Sequence, residues 1–261
     1  MLPKTISGER AHREYKRRLE IDMIIRELAF NIRNDLMLNN KDINILEFGS
    51  GDGFQIPYLQ RLGRVIASDI YISDGIKEAQ EIEFAECKIN RAPFKKGQFD
   101  LIFSNHVIEH IEDLENVFYE IKRIGSGRCI YAFSVPTNTW LLLSIPGYYY
   151  KKFRNIFGKP ENRPPNGGNT FLVDPPQKRS MLTRLTQALI PRGHGIKTNF
   201  IECYQYFKIE NWCKLFSEHG FSVIETKPLL LYGPSEWPII PTLNSTNRLC
   251  SSVLFLMKKN P

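Results

Sequence analysis

The chain has 261 residues, of which 42% are hydrophobic and 24% charged, and its net charge at pH 7 is +7. This balance is typical of a globular protein, and the sequence contains no low-complexity tract or fixed-period repeat. The first 18 residues are rich in charge and lack an apolar core, so we expect no secretory signal peptide. Five cysteines form no CxxC pair, which indicates reduced thiols in a cytoplasmic setting.

The positive charge is concentrated in one segment. Residues 137–200 contain ten lysines and arginines but only two acidic residues, so this segment carries the whole basic excess. Such asymmetry predicts an anionic partner, namely phosphate, nucleic acid or an acidic membrane surface, and a solvated loop without a partner is the alternative. The uncharged stretch 129–150 is interrupted by polar residues and two prolines, so we do not expect it to span a membrane.

Short apolar runs and helical patterns alternate along most of the chain. A long amphipathic helix comes first, with apolar residues at helical spacing. Helices are predicted at 8–38, 54–62, 74–81, 113–124 and 208–219, with Gly125 and Gly220 as C-terminal caps of the last two. Strands are predicted at 43–48, 64–69, 84–89, 99–104, 128–135, 221–226 and 251–257. The alternation predicts an α/β fold, with a doubly wound, mostly parallel seven-stranded sheet covered on both faces.

Regular patterning fails between residues 137 and 206, where seven of the sixteen prolines lie. We therefore expect one domain, 1–261, with an N-terminal helical segment, a ligand-binding core over 41–136, this insertion, and a C-terminal helix and strand pair over 207–261. A loop of this length inside a compact domain is usually functional, so the insertion is predicted to form a lid or an acceptor pocket. Aromatic residues beside cations within 140–160 suit peripheral contact with a membrane or simple packing on the sheet.

The sharpest motif runs from Glu47 to Gly53 and reads EFGSGDG. It follows a predicted strand and precedes a helix, so its glycines permit a tight turn and close approach of a ligand to the backbone. A dinucleotide loop would need a third glycine where Phe54 stands, and a P-loop would need Gly-Lys-Ser/Thr. Neither nucleotide motif is therefore present.

This motif resembles the first motif of class I S-adenosylmethionine (SAM)-dependent methyltransferases. The resemblance continues in order with Asp69 at the end of the second strand, 90–94 (NRAPF) after the third, 99–105 (FDLIFSN) as the fourth, and 107–110 (VIEH) after it. The last string is similar to one found in the subgroup of ubiquinone-biosynthesis and other small-molecule methyltransferases. The ordered match covers roughly residues 43–136.

The resemblance implies that SAM is the cofactor and assigns eleven residues to it. For the methionine moiety it implies Gly49, Ser50, Gly51 and Gly53 along the loop, Glu47 near the cationic end directly or through water, and Asn105 and His106 nearby. For the nucleoside it implies Asp69 at both ribose hydroxyls, Ile70 against adenine, and Asn90 and Arg91 near the adenine amino edge. Asn90 departs from the more common Asp, and we expect an amide to retain binding there because it both donates and accepts.

A hydroxyl acceptor benefits from a general base with a pKa near neutrality, which favours histidine. The candidates are His110, at the carboxyl edge of the sheet, and His194, in the basic insertion. The string from His106 to His110 also matches the H-x-x-E-H zinc-protease motif, but it follows a strand rather than lying in a helix, so no metal is expected.

The sequence therefore predicts a SAM-dependent methyltransferase that acts on a small-molecule, glycoconjugate or lipid-linked acceptor, anionic in character, at an oxygen atom. An RNA methyltransferase is a less favoured alternative, because no RNA-binding module is recognisable. A non-catalytic SAM-fold binding protein is the other. We expect a cytoplasmic protein, with peripheral contact at the inner membrane surface through residues 140–160.

Overall fold

The protein is represented by a computed structural model that describes residues 8–35, 43–78, 82–157, 193–197, 199–232, 243–244 and 249–260. Helices lie at Gly8–Asp35 (α1), Ile56–Leu59 (α2), Asp74–Glu78 (α3), Leu114–Ile124 (α4), Asn138–Phe157 (α5), Phe200–Tyr206 (α6) and Ile209–Glu218 (α7). Strands lie at Ile43–Phe48 (β1), Gly63–Asp69 (β2), Glu83–Glu86 (β3), Phe99–Asn105 (β4), Gly125–Pro136 (β5), Phe221–Pro228 (β6), Leu230–Leu231 (β7), Leu243–Asn244 (β8) and Ser252–Lys259 (β9). Two 3₁₀ turns, Ile89–Arg91 and Ile108–His110, follow β3 and β4.

Seven strands form one sheet in the order β3-β2-β1-β4-β5-β9-β6. Neighbours from β3 to β5 are parallel, and β9 runs antiparallel to both β5 and β6. The predicted doubly wound fold is confirmed. The chain moves outward from β1 to β3 and then returns to place β4 on the other side of β1. This reversal opens a crevice beyond the carboxyl ends of β1 and β4, where open α/β sheets bind ligands.

Two apolar cores cover the faces of the sheet. One side buries α1 and α2 against residues such as Ile45, and the other buries α4 and α7 against residues such as Phe48. The alternation arises because successive strand residues point to opposite faces. The predicted stripe of α1 is buried at Ile21, Ile24, Ile25, Leu28 and Ile32; Leu36 lies outside the described residues. The stripe of α4 is buried at Leu114, Val117, Phe118 and Ile121.

The expectation of irregular structure after β5 is wrong for two stretches, α5 and α6. Pro146 lies inside α5, where its missing N–H removes one helical hydrogen bond. Long-range contacts offset that loss at the start of the helix: the Thr137 hydroxyl donates to the Cys250 carbonyl, and Leu141 is 1% exposed. Residues 158–192 lie outside the described residues. Within the described part of the chain, no helix is both long enough and apolar enough to cross a bilayer.

Gly125 is the C-terminal cap of α4, as predicted, and its amide donates to the Ile121 carbonyl, but its φ of −71° is not left-handed and β5 begins there at once. Its lack of a side chain has a packing reason instead. A Cβ at this position would lie 2.3 Å from the Tyr131 hydroxyl. The second predicted cap is confirmed, since Gly220 follows α7 with a φ of +78°.

The packing of α4 gives a direct test of the core. Phe118 is fully buried and its ring lies 5.9 Å from that of Phe216 and 5.5 Å from that of Phe221. Phe118→Ala should lower the free energy of unfolding by about 3–5 kcal/mol, the usual cost of such a cavity. Its neighbour Tyr119 is 69% exposed, and Tyr119→Ala should change the stability by less than about 0.5 kcal/mol. Urea denaturation of both variants measures the difference, and equal losses would contradict this assignment of the core face.

Candidate active site

The glycine loop leaves β1 in a left-handed conformation. Gly49 and Gly51 have φ values of +73° and +56°. A Cβ on Gly49 would lie 2.3 Å from the Val107 side chain, so this glycine permits close packing with the turn after β4. A Cβ on Gly51 would meet nothing within 4 Å, so the backbone of Gly51 faces open space. The loop therefore packs at one glycine and exposes its backbone at the other.

Two cavities meet at this loop. The first, about 580 Å³, extends beyond the end of β2 and is called the β2 cavity; its lining includes Asp69, Ile70, Tyr71 and Asn90. The second, about 600 Å³, lies between the loop and α1 and is called the α1 cavity; its lining includes Arg13, Lys16, Gln55, Trp140 and His194. Both linings include Gly49, Gly51, Asn105, His106 and His110. The cavities are thus two arms of one crevice at the carboxyl edge of the sheet.

Asp69 joins the ends of β1 and β2. One carboxylate oxygen accepts a hydrogen bond from the Gly51 amide at 2.8 Å, and the other accepts from the Ile70 amide at 2.7 Å. Each oxygen retains a further lone pair, so the carboxylate can accept two more donors from a ligand. Ile70 and Tyr71 follow with 60% and 53% of their surface exposed. The hydrogen-bond acceptors of Asp69 therefore lie beside the exposed side chains of Ile70 and Tyr71.

A chain of side-chain hydrogen bonds runs beneath the loop. The Gln55 amide nitrogen donates to Glu47 at 3.1 Å, the Asn105 amide nitrogen donates to Gln55 at 2.6 Å, and the Ser134 hydroxyl donates to Asn105. Gln55 and Asn105 line the α1 cavity, whereas Glu47 does not. The predicted influence of Glu47 on a ligand would therefore pass through Gln55.

Glu47 is an acid held in an apolar setting. It is 1% exposed, and one of its oxygens has no hydrogen-bond partner among the described residues. Burial, with additional repulsion from Asp52 and Asp69, raises the pKa of Glu47 to about 8, against a smaller opposing effect of Arg17. The group is therefore largely protonated at neutral pH in the ligand-free chain.

His106 sits in a strained and strongly charged position. Among the described residues it is the one non-glycine residue with a positive φ, +55°, and its amide donates to the Ser134 carbonyl at 3.0 Å. Its ring nitrogens lie 3.4 Å from Glu20 and 3.6 Å from Glu109. Burial alone would lower the pKa of His106, but the two carboxylates outweigh it and raise the pKa to about 10. The imidazole is thus a cation at the junction of the two cavities.

The two candidate general bases come together although they are far apart in sequence. The rings of His110 and His194 lie 4.8 Å apart, and that of His194 lies 4.9 Å from the Trp140 ring. Burial, followed by the proximity of His110, lowers the pKa of His194 to about 4. The His194 imidazole is therefore neutral at physiological pH.

Most of the predicted site residues line the crevice: Gly49, Ser50, Gly51, Asp69, Ile70, Asn90, Asn105, His106, His110 and His194. Three do not. Glu47 lies beneath the loop, Arg91 is exposed outside both linings, and Gly53 packs against Ile76. Asn90 faces the β2 cavity with a buried amide oxygen that has no partner among the described residues, so an acceptor is available there.

The contribution of α1 to the site is not evident from the sequence. Arg13, Lys16, Arg17 and Glu20 from this helix line the α1 cavity. Arg17 donates to both carboxylate oxygens of Asp52 at 2.8–2.9 Å and so fastens α1 to the glycine loop. The sequence does contain a relevant pattern, since these charged residues form pairs spaced four apart and therefore lie on one face of the helix. Such spacing also occurs on solvated helices, so it does not by itself identify a site.

The raised pKa of Glu47 predicts how stability depends on pH. Between the ordinary value of 4.5 and about 8, the folded chain holds a proton that the unfolded chain has released, so stability falls as the pH rises. Glu47→Gln has no such proton to hold, so its stability should not fall in this way. The free energy of unfolding of the variant minus that of the wild type should therefore increase from pH 4.5 to about 8, by at most about 1.4 kcal/mol per unit of pKa shift. Thermal unfolding at a series of pH values measures it.

Glu225→Gln is the matched control. Burial raises the pKa of Glu225, but Lys227 and Asn31 lower it overall, so its titration falls below pH 4.5. The stability difference between this variant and the wild type should therefore change little between about pH 5.5 and 8. A constant difference for Glu47→Gln as well would show that Glu47 ionises normally in the folded chain.

Comparison with known proteins adds independent findings. Residues 14–226 match the model of a family described as a methyltransferase domain. A SAM-dependent methyltransferase from Aquifex aeolicus is similar in structure, with a TM-score of 0.51 and 12% identity over 95% of this chain and 97% of that one.

Two further solved structures are similar. The 1,6-didemethyltoxoflavin N1-methyltransferase from Burkholderia thailandensis, bound to 1,6-didemethyltoxoflavin and S-adenosylhomocysteine, has a TM-score of 0.52 and 11% identity over 91% of this chain and 78% of that one. The magnesium protoporphyrin IX methyltransferase from Synechocystis PCC 6803, bound to S-adenosylhomocysteine, has a TM-score of 0.51 and 14% identity over 96% and 84%.

Proposed function

The chain belongs to the class I SAM-dependent methyltransferases, and from that premise we propose that it methylates an oxygen atom of a small anionic acceptor bound in the α1 cavity. The observation that carries the proposal is the pair of cavities that meet at the glycine loop, one suited to a nucleoside and the other lined by cations and histidines. Two of the proteins with similar structures are named as methyltransferases of small molecules, which supports an acceptor of that size. Glycoconjugate and lipid-linked acceptors fall within this proposal when they carry an anionic group.

The residues of the β2 cavity fit the nucleoside of SAM. Asp69 has lone pairs left for two ribose hydroxyls, and the exposed Ile70 offers an apolar surface to adenine. The orphaned amide oxygen of Asn90 suits the adenine amino group, which needs an acceptor. On the other side of the loop, Gly51 leaves room for the methionine moiety. Glu47, beneath Gln55, is largely protonated in the ligand-free chain and would supply negative charge near the sulfonium only after releasing that proton when SAM binds.

SAM supplies a methyl group on a positively charged sulfur: the acceptor oxygen forms the new C–O bond, the C–S bond breaks, and its electron pair stays on sulfur as S-adenosylhomocysteine forms. The chain's residues position the partners and exclude water. The proton of the acceptor hydroxyl must leave. His110 and His194 are the groups on the acceptor side that would promote its loss, because both imidazoles line the α1 cavity. The lowered pKa of His194 makes it a weaker base than an ordinary imidazole.

The charge of the α1 cavity supports an anionic acceptor. Arg13, Lys16 and Arg17 line it, against the carboxylates of Asp52 and Glu20. With His106 as a cation, the lining carries four positively charged groups and two carboxylates by formal charge, so it has a positive excess. The carboxylate of the SAM methionine would balance one of these charges. The remaining positive charge of the α1 cavity favours a carboxylate or phosphate on the acceptor.

The exposed backbone of Gly51 provides a test of the cofactor site. Gly51→Ala places a methyl group in open space at the crevice, so it should weaken SAM binding by at least about tenfold, or about 1.4 kcal/mol. Gly97 has a similar φ of +71° and lies outside both cavity linings, so Gly97→Ala is the matched control. Both substitutions cost about 1–2 kcal/mol in backbone strain. Titration calorimetry with SAM measures the affinities, and equal affinities would refute this placement.

The two histidines provide a test of the acceptor side. His110→Ala and His194→Ala should each reduce kcat by about 10²–10⁴-fold, the usual contribution of proton transfer, with little change in SAM affinity. His219 lies at the end of α7, outside both linings, so His219→Ala should keep normal turnover. Transfer of radiolabelled methyl to anionic hydroxyl compounds supplies the assay. Unchanged turnover in both site variants would remove the histidines from the reaction.

The other candidate functions stay predictions. The basic segment that suggested RNA lies mostly within 158–192, outside the described residues, so the RNA alternative gains no support from the site. Peripheral membrane contact through 140–160 rests, among described side chains, on Leu142, Tyr149 and Tyr150, which are 42–47% exposed. Resemblance to the ubiquinone-biosynthesis subgroup and a cytoplasmic location at the inner membrane surface also stay predictions.

A further inference from the structure

Glu109 is a buried carboxylate with too few partners. It is 0% exposed, and neither of its oxygens accepts a hydrogen bond from any described residue. Its nearest charged neighbour, His106, lies 3.6 Å away and is shared with Glu20. Both oxygens of this buried side chain are therefore available as ligand atoms, and buried carboxyl groups are commonly paired with a cation or bound to a metal.

A second segment brings another nitrogen ligand to this carboxylate. Residues 193–197 lie directly on the turn after β4, where the Ile196 amide donates to the Glu109 carbonyl at 3.1 Å. Gly195 permits this approach, since a Cβ there would lie 2.2 Å from the same carbonyl oxygen. The His194 amide donates to the Cys203 sulfur at 3.3 Å, and the Trp140 ring borders the imidazole. The position of His194 is therefore set by packing.

One ligand atom each from Glu109, His110 and His194 lie within 4.8 Å of one another. The His110 Nε2 atom is 3.9 Å from Glu109 Oε1. Ligands of a tetrahedral zinc ion, with bonds of about 2.0–2.1 Å, are roughly 3.4 Å apart. Side-chain movements of roughly 1.4 Å, the difference between 4.8 and 3.4 Å, would bring the three ligand atoms to that spacing. The three side chains are thus close to coordination distance before any ion binds.

We propose that Glu109, His110 and His194 bind a divalent transition-metal cation, with Zn²⁺ as the best match. Two imidazoles and one carboxylate suit Zn²⁺ and its neighbours in the first transition row, whereas Mg²⁺ and Ca²⁺ prefer oxygen ligands. The H-x-x-E-H string contributes only part of this set. His106 faces Glu20 on its other side, and the third ligand comes instead from the distant His194.

The open side of this metal site faces the α1 cavity, because His110 and His194 line it. A fourth position is therefore available to an acceptor hydroxyl. A cation there stabilises the alkoxide or phenolate, so that the hydroxyl proton passes to solvent water near neutral pH. This role rests on the proposed function, whereas the binding of the metal does not. The two histidines would then promote proton loss as metal ligands.

Metal binding is tested on the whole chain after removal of metals with a chelator. Titration with Co²⁺ should give the visible absorption bands of a cobalt ion with nitrogen and oxygen ligands, and Zn²⁺ should displace it with a stoichiometry of about one. Glu109→Gln, His110→Ala and His194→Ala should each weaken the binding of Zn²⁺, measured against a chromophoric chelator, by at least about tenfold. His219→Ala is the matched control and should bind as the wild type does.

Two results would overturn the proposal. Absence of the cobalt bands in the wild-type chain refutes the site and requires no variant to fold. Zn²⁺ affinity in His194→Ala equal to that of the wild type, with circular dichroism showing a folded chain, refutes the ligand set. If Zn²⁺ binds but methyl transfer is equally fast in the metal-free chain, the assigned role is wrong. Failure of the proposed function shows separately, as absence of SAM binding or of any methyl transfer by the metal-loaded chain.

Discussion

Because the chain builds the sheet outward from β1 to β3 and then returns to β4, the strands that carry the motifs end at one edge. The loop after β1 can leave the sheet there only with glycines in a left-handed conformation, and Asp69 from β2 holds it through the Gly51 amide. Val107 from the turn after β4 packs against Gly49 from the other side. The crevice, its two arms and every proposed contact depend on this one arrangement of strand ends.

Buried acids surround the centre of the crevice. Glu20, Glu47 and Glu109 are 5%, 1% and 0% exposed, and they come from α1, β1 and the turn after β4. Burying three carboxylates costs free energy unless cations or hydrogen bonds compensate. His106 compensates two of them, and Gln55 compensates part of the third. Of the three, Glu109 has both oxygens without a hydrogen bond from any described residue, and it is the group proposed to bind a metal ion.

The sequence predicts those parts of the structure that local patterns determine. The strands, α1, α4 and α7 follow from apolar periodicity, and the glycine loop follows from a motif whose backbone geometry requires glycine. Helix α5 was missed because Pro146 argues against a helix locally, while the contacts of Thr137 and Leu141 that favour it are long-range. Gln55 was missed for a similar reason, since its role depends on meeting Asn105 from β4.

The two arms of the crevice also differ in whether local sequence patterns or long-range contacts determine them. The proposed donor side is built almost entirely from one ordered run of motifs between Glu47 and His110, so a family resemblance predicts it. The acceptor side is assembled from α1, the start of α5 and residues 193–197, which meet only in the folded chain. His194 reaches Glu109 because Gly195 allows two backbones to touch, and no pattern within either segment encodes that contact. The residues proposed to select the acceptor therefore lie outside the motifs, so acceptor specificity could change while the proposed cofactor site stays the same.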